Sequence, residues 1–459
     1  MRGSLLLKTD SYKVTHWRQY PPGTTGVYSY MESRGGRWPT SVFFGLQYLL
    51  REYLVGPVVT RSGIEEAGEF FAQHLGDRSL FNREGWEYVL RVHGGRLPVR
   101  IKAVPEGSPV WNRNVLMTIE NTDPQVAWLT NYLETLLVQV WYPTTVATQS
   151  REMKRIWHEY LVKTGDPSVI TFKLHDFGYR GSTSDESAAL GGAAHLVNFT
   201  GTDNLAGCEL AMRYYRAEMP GFSIPAAEHS TITAWGRERE LEAYANMLRA
   251  YPDSPLVAVV SDSYDIFHAV SELWGKKLRD AVMARRGAVV IRPDSGKPDE
   301  VVLSVLRRLA TAFGVRVNAK GYKVLDDHVR VIQGDGIDYD TIRTILEAMA
   351  LDGWSADNLT MGSGGGLLQK VDRDTQRFAF KCSAVRIGDT WSPVSKAPIT
   401  DPGKNSKAGR LKLVRINGEQ ATVPEDSSGS DEMVEVFRDG ELLKEWTFDE
   451  VRERAALTS

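Results

Sequence analysis

The sequence predicts an α/β protein: an irregular parallel α/β barrel, with a second, strand-rich α+β domain formed by the N- and C-terminal segments. Two observations predict it. From about Val169 a short β-branched or apolar run, a cluster of Gly, Asp, Ser or Asn, and a helical stretch recur in that order seven times, the rhythm of parallel strands joined by helices. The segments 1–150 and 380–459 instead carry strand-like runs without that alternation. An open doubly wound sheet also alternates, but it gathers its ligand loops at one switch point. Here polar residues follow every strand, as at the C-terminal mouth of a barrel.

In chain order, the head holds the strand-like VYSYMES and PVRIKAVPEGSPV, a helical NREGWEYVLRV segment and the apolar VAWLTNYLETLLVQVWY. The seven strand-and-loop units follow: VITFKLHDFGYRG from 169, LVNFTGTD from 196, FSIPAAEHS from 222, LVAVVSDSYD from 256, VVIRPDSG from 289, VRVIQGDG from 329 and LTMGSGGG from 359. The tail, with FAFKCSAVRI, GRLKLVRI and MVEVFRDGELLKEWTF, is strand-rich again. Residues 1–150 and 380–459 are therefore assigned to one domain, and 151–379 to a barrel inserted between them. The repetition is of supersecondary rhythm, not of sequence.

Composition narrows the function classes. A formal charge of -3 from 55 basic and 58 acidic residues provides no global field for nucleic acid or anionic lipid, so any phosphate binding is local. The only cysteines, Cys208 and Cys382, form no disulfide framework and no metal-ligand spacing. Leu5 to Leu7 is too short for a signal-peptide core, and no stretch reaches membrane-spanning length. A cytoplasmic protein is expected.

Polar groups suited to a sugar phosphate gather at the strand ends. In GSGGG, Gly362, Gly364, Gly365 and Gly366 let backbone amides approach an anion before a helix begins; a flexible loop is the plainer reading. The segment lacks a Walker ending and GxGxxG spacing, which favours a monophosphate grip over a dinucleotide site. In IRPDSGKP, Arg292 and Asp294 stand two residues apart and face one side of an extended segment. A guanidinium grips phosphate in a fork and a carboxylate accepts from vicinal diols, whereas alone the pair reads as a surface salt bridge. Asp335 in QGDG repeats the theme or simply forms a turn.

Acid–base and ring-binding groups follow other strands. AAEHS supplies Glu228 and His229, and SDSYD supplies Ser261, Asp262 and Asp265. A carboxylate that fixes one imidazole nitrogen as donor leaves the other as nucleophile or base; a lone histidine is more often structural. No HExxH or comparable spacing occurs, so no protein-held metal is expected. In HDFGYRG, Phe177 offers a face for a flat ring and Arg180 a charge for phosphate, unless the ring serves the core. Asp203 ends TGTD, where a carboxylate accepts from a carboxamide and repels an acid.

Together with TDSYKVTHWRQYPPGTTGVYSYMESR, FGLQYLL, SKAGRL and the terminal FDEVRERAAL, these motifs resemble the nicotinamide phosphoribosyltransferases, which are type II phosphoribosyltransferases, nearly end to end and in order. The resemblance implies a homodimer whose sites are completed by both chains. It places nicotinamide between Phe177 and Tyr12 of the partner subunit, with Asp10 of the partner subunit beside the base. Asp203 receives the amide, and Arg292, with Ser261 nearby, helps place the ring. Asp294, Gly334, Asp335, Gly364 and Gly365 take the ribose and 5-phosphate, with Arg180 close by. Arg373, Lys381 and Lys396 match basic residues that reach phosphate or pyrophosphate across the interface. His229 matches a histidine phosphorylated by ATP as co-substrate, with Mg²⁺ present; Asp265 matches the carboxylate that orients it, and Glu228 belongs with Asp294 to the same catalytic group. Gly35 to Pro39 is a shorter segment than in animal members, which leaves open whether Arg34 or Arg37 faces pyrophosphate. The rivals are a nicotinate phosphoribosyltransferase, which Asp203 argues against, and a non-catalytic sugar-phosphate binder, against which every matched position is filled by the expected residue type.

Overall fold

The computed structural model describes residues 3–457, and the chain divides into two compact units. One is built from Met1–Thr148, Tyr214–Arg216 and Asp372–Ala456, the other from Gln149–Arg213 and Ala217–Val371. The tail thus enters the first unit at Asp372 instead of about residue 380. There the turn Arg373–Thr375 leads into the long strand Phe378–Ile387.

Head and tail share one antiparallel sheet of seven strands. Its order is Thr390–Pro393, Phe378–Ile387, Thr24–Ser33, Val115–Asn121, Val99–Ala103, Val434–Arg438 and Glu441–Leu442. Tail strand Phe378–Ile387 runs antiparallel to Thr24–Ser33, bringing Lys381 opposite Tyr30. The helix Arg83–His93 begins where Asn82 accepts from the Gly85 N–H and ends at Gly94, whose φ of 60° is the left-handed conformation glycine tolerates. The segment expected to be apolar breaks into the short turns Leu129–Tyr132, Glu134–Leu137 and Val138–Val140.

The second unit carries the expected barrel. Its strands are β1 (Leu174–Asp176), β2 (Gly201–Thr202), β3 (Leu256–Val260), β4 (Ala288–Arg292), β5 (Val329–Gln333) and β6 (Leu359–Ser363). They form a parallel sheet in the order β2-β1-β6-β5-β4-β3. The expected strand FSIPAAEHS spans the remaining gap through isolated bridges, Gly201 to Phe222 on one side and Ala226 to Ala258 on the other. Phe222 donates to Thr200 O and accepts from Thr202 N–H, while Ala258 and Ala227 exchange bonds with Pro225 O and Ala258 O. Pro225 has no N–H to donate, so this side of the barrel is held by scattered bonds instead of a ladder.

All seven strand units take part, but two are shorter than the sequence suggests. The run from 169 opens with a 3-10 stretch, Pro167–Phe172, and the run from 196 is strand only at Gly201–Thr202. A hairpin, Val315–Val317 with Lys323–Leu325, was not anticipated. Covering helices include Asp185–Leu196 and Tyr339–Leu351, opened by capping boxes at Ser184 and Asp338, and Pro298–Phe313, opened by proline at its first position. Among the described residues no helix is long and apolar enough to cross a membrane.

Candidate active site

The period-two alternation of the strands turns His175 and Phe177, Leu256 and Ala258, and Val290 and Arg292 toward the barrel interior. These pairs line a cavity of about 240 Å³ together with Asp203, the Phe222–Ile224 stretch, Ile332 and Thr360. Its floor is apolar: Ala258, Val290 and Ile332 form a buried cluster against which Phe177 and Ile224 pack. The cavity is the size of a small flat molecule, with one aromatic face and polar groups at one end.

Two glycines make room for the aromatic residues. A Cβ at Gly362 would fall 1.9 Å from Phe177 Cε2, and one at Gly201 would fall 2.6 Å from the His175 ring. The expectation had Gly362 in an anion loop; its backbone instead seats the Phe177 ring. The Arg292 guanidinium lies 5.6 Å from the centre of that ring, within cation–π range.

At the polar end, Asp203 Oδ1 accepts from Ser223 Oγ at 2.5 Å. The loop holding it is tied to the fully buried Asp176, whose carbonyl accepts from the Asp203 N–H. Asp176 also accepts from the Gly178 N–H at 2.7 Å and from Asn204 Nδ2 at 2.9 Å. Burial nonetheless pushes its carboxyl up to about 6. Burial also lowers His175, against the opposing influence of Asp203. Sequence reasoning missed Asp176, His175 and Ser223, although the first two stand in HDFGYRG and Ser223 in FSIPAAEHS.

Beside the cavity, Arg292 donates to Asp294 Oδ1 through NH2 at 2.9 Å and Nε at 3.3 Å. Asp294 Oδ2 stands 3.9 Å from His229 Nδ1. His229 Nε2 lies 3.0 Å from Asp262 Oδ1, and a proton held on Nε2 leaves the Nδ1 lone pair for chemistry. The expected partner, Asp265, is otherwise engaged: its Oδ1 accepts from the Phe267 and His268 N–H groups and caps a helix. Those bonds, the His268 N–H foremost, hold its carboxyl below the usual range. The residue that reaches His229 is therefore Asp262, which belongs to the same motif.

The remaining expected residues divide in the same way. Glu228 precedes the helix His229–Thr233, and its side chain accepts from Ser230 Oγ. Ser261 is buried with its hydroxyl donating to Val259 O and accepting from Trp274 Nε1, so it braces the barrel wall without lining the cavity. Gly334 sits close to the Arg292–Asp294 pair, where an added Cβ would come 3.2 Å from Arg292 Nε. Asp335 is exposed and its carbonyl accepts from Gln333 Nε2. Gly364 and Gly365 open the short helix Gly365–Leu368, where the Leu367 and Leu368 N–H groups donate to Gly364 O. Arg180 is exposed on the turn Tyr179–Gly181.

The antiparallel unit holds the other expected residues. Asp10 Oδ2 accepts from Thr135 Oγ1 at 2.7 Å, and Tyr12 is 60% exposed with its ring edge-on to His16. Lys381 is half-buried; burial lowers it against the opposing influence of Glu134, and the positive charges of Arg34, Lys396 and Arg373 lower it further. Arg34 has a buried NH2 without a hydrogen-bond partner among the described residues, its Nε being 3.3 Å from Glu32. Arg37 is exposed, with its guanidinium over the Trp38 ring.

A slot for a flat ring, flanked by an arginine–aspartate pair and glycine-rich strand ends, defines an α/β-barrel transferase for a sugar phosphate and a planar base. Comparison with known proteins specifies the class. The model of the nicotinate phosphoribosyltransferase family matches residues 172–441, and that of the N-terminal domain of nicotinamide phosphoribosyltransferase matches residues 4–101. The chain belongs to the nicotinate phosphoribosyltransferase family, within the group of nicotinamide phosphoribosyltransferases, and is a pentosyl-transferring enzyme. It is 53% identical to a nicotinamide phosphoribosyltransferase of Xanthomonas campestris, covering 98% of each chain. It is 32% identical to one of Acinetobacter baylyi, covering 97% of this chain and 96% of the other. Solved structures share the fold. A nicotinate-nucleotide pyrophosphorylase from Pyrococcus furiosus superposes with a TM-score of 0.61 at 16% identity, covering 98% of this chain and 95% of that one. Human nicotinic acid phosphoribosyltransferase gives 0.55 at 17%, covering 97% and 92%.

Proposed function

We infer that this enzyme joins nicotinamide to 5-phosphoribosyl-1-pyrophosphate, forming nicotinamide mononucleotide and pyrophosphate in the salvage of NAD. One observation carries this reading: the cavity that holds the Phe177 face ends in the carboxylate of Asp203. A carboxamide donates to that carboxylate, whereas the acid analogue meets a like charge.

The ring nitrogen attacks the anomeric carbon while the bond from that carbon to the pyrophosphate oxygen breaks and its electron pair leaves with pyrophosphate. No proton moves, so positioning and charge supply the catalysis. Asp294, Gly334, Asp335, Gly364 and Gly365 take the ribose and 5-phosphate, with Arg180 close to the phosphate. The clustered cations Arg34, Arg373, Lys381 and Lys396 take pyrophosphate in a homodimer, where Tyr12 of the partner subunit covers the base opposite Phe177 and Asp10 of the partner subunit lies beside it. Arg34, with its buried donor lacking a partner among the described residues, takes the role that the sequence left open between it and Arg37.

In the same reading ATP phosphorylates His229. A ring nitrogen bonds to the γ-phosphorus as the bond to the bridging oxygen breaks and ADP leaves; hydrolysis later frees phosphate. Among the described residues no group of three or more His, Cys, Asp or Glu converges as a metal site. Mg²⁺ enters with the polyphosphate substrates. The expected compartment is the cytoplasm.

Chromatography after mixing the protein with nicotinamide, 5-phosphoribosyl-1-pyrophosphate and Mg²⁺, with and without ATP, tests the reaction. Equal amounts of nicotinamide mononucleotide and pyrophosphate are expected; their absence overturns the assignment. His229→Ala is expected to lose ATP hydrolysis and keep slow basal synthesis, and normal hydrolysis by that variant overturns the phosphohistidine.

A further inference from the structure

The two carboxylate oxygens of Asp262 bond to different parts of this site. Oδ1 faces His229 Nε2 at 3.0 Å, while Oδ2 accepts from the Asp294 N–H at 3.1 Å and from Ser295 Oγ at 2.5 Å. Its side chain is 4% exposed, while the His229 side chain it meets is 47% exposed and open to a ligand. Asp294 closes the circuit: its side chain takes Arg292 on Oδ1 and approaches His229 Nδ1 with Oδ2.

We propose that Asp262 is a positioning residue that ties the imidazole of His229 to the loop carrying Asp294, so that phosphorylation of the histidine and the grip on the pentose are set together. The inference rests on the phosphohistidine reading above. A carboxylate has acceptors on both sides and therefore holds a protonated Nε2 and two loop donors at once. A ring phosphorylated on one nitrogen keeps a proton on the other, so the same carboxylate serves before and after transfer. An amide does not. If its oxygen stays with the loop, its NH2 faces Nε2 and fixes the opposite tautomer, a change that cripples histidine-dependent catalysis when imposed elsewhere. If its oxygen turns to His229, its NH2 meets the Asp294 N–H donor to donor, and the loop is released.

The test uses the full chain as wild type, Asp262→Asn and Ser295→Ala. Two quantities are measured: labelling of His229 by γ-labelled ATP across a pH series, and the KM for 5-phosphoribosyl-1-pyrophosphate in the ATP-free reaction. Asp262→Asn is expected to slow labelling by about 100-fold or more, with a displaced pH profile, and to raise that KM by about tenfold, the effect of one charged hydrogen bond. Ser295→Ala, a surface change that leaves both carboxylates in place, is expected to raise the KM severalfold. Wild-type labelling and KM in Asp262→Asn overturn the inference, as does slowed labelling with an unchanged KM. If Asp262→Asn does not fold, an unchanged KM in Ser295→Ala overturns it. Failure of the wild type itself to label instead removes the phosphohistidine.

Discussion

The ring of Phe177 occupies the space that a side chain on Gly362 would fill: a Cβ there would lie 1.9 Å from Phe177 Cε2 and 2.2 Å from Cδ2. Gly362 stands on β6 and pairs in register with His175 on the neighbouring parallel strand β1, just beyond whose end Phe177 lies. The seat of the Phe177 ring is thus built by the absence of a side chain. Gly362→Ala should push the ring into the cavity and lower kcat/KM for nicotinamide by about 100-fold, the scale of a displacement of about 1 Å in a reacting complex. Steady-state kinetics check this, and a loss below about threefold contradicts the packing.

The cation cluster separates two arginines that sequence treated as equivalent. Arg34 has a buried donor without a partner among the described residues and lies in the field of Lys381, whereas Arg37 is exposed over Trp38. Arg34→Ala should raise the KM for 5-phosphoribosyl-1-pyrophosphate by about 10- to 100-fold, as loss of a charged hydrogen bond requires. Arg37→Ala should change it by less than about threefold. Equal effects of the two substitutions on that KM contradict the assignment.

Asp176 carries a pH signature. Burial raises its carboxyl from 3.8 to about 6 in the folded chain. Because the folded value lies above the unfolded one, the stability tied to the protonated form is complete below 3.8 and is lost as pH rises through about 6. Asp176→Asn removes this titration and keeps an acceptor for the Gly178 N–H. Between about pH 4.5 and about pH 7 the wild type should lose about 2 kcal/mol relative to the variant. Denaturant unfolding at the two pH values measures the difference, and a pH-independent gap contradicts the raised carboxyl.

Much of the fold was legible because each barrel strand is an apolar run followed by polar residues, and that pattern survives in one sequence. All seven runs reach the barrel. The closing side was readable as a strand but not as a ladder, since Pro225 interrupts the bonding. The hairpin Val315–Val317 with Lys323–Leu325 escaped because its first strand is exposed throughout and shows no alternation. Within the site, Phe177, Asp203, His229, Arg292 and Asp294 were readable from residue type and loop position. Asp262 and Asp265 were not separable that way. In SDSYD both follow the same strand, and only the backbone decides that one faces His229 while the other caps the helix beginning at Ile266. Ser223 was invisible for a related reason: its value lies in the Asp203 oxygen it meets, on a separate strand-end loop.

The proposed selection of a neutral amide by Asp203 is tested most directly by one ratio, kcat/KM for nicotinamide over kcat/KM for nicotinate, in wild type and in Asp203→Asn. The wild type should favour the amide, and the substitution should lower the ratio by about tenfold or more, the equivalent of losing about 1.4 kcal/mol of like-charge discrimination. The same ratio in both proteins would mean that this carboxylate does not choose the base.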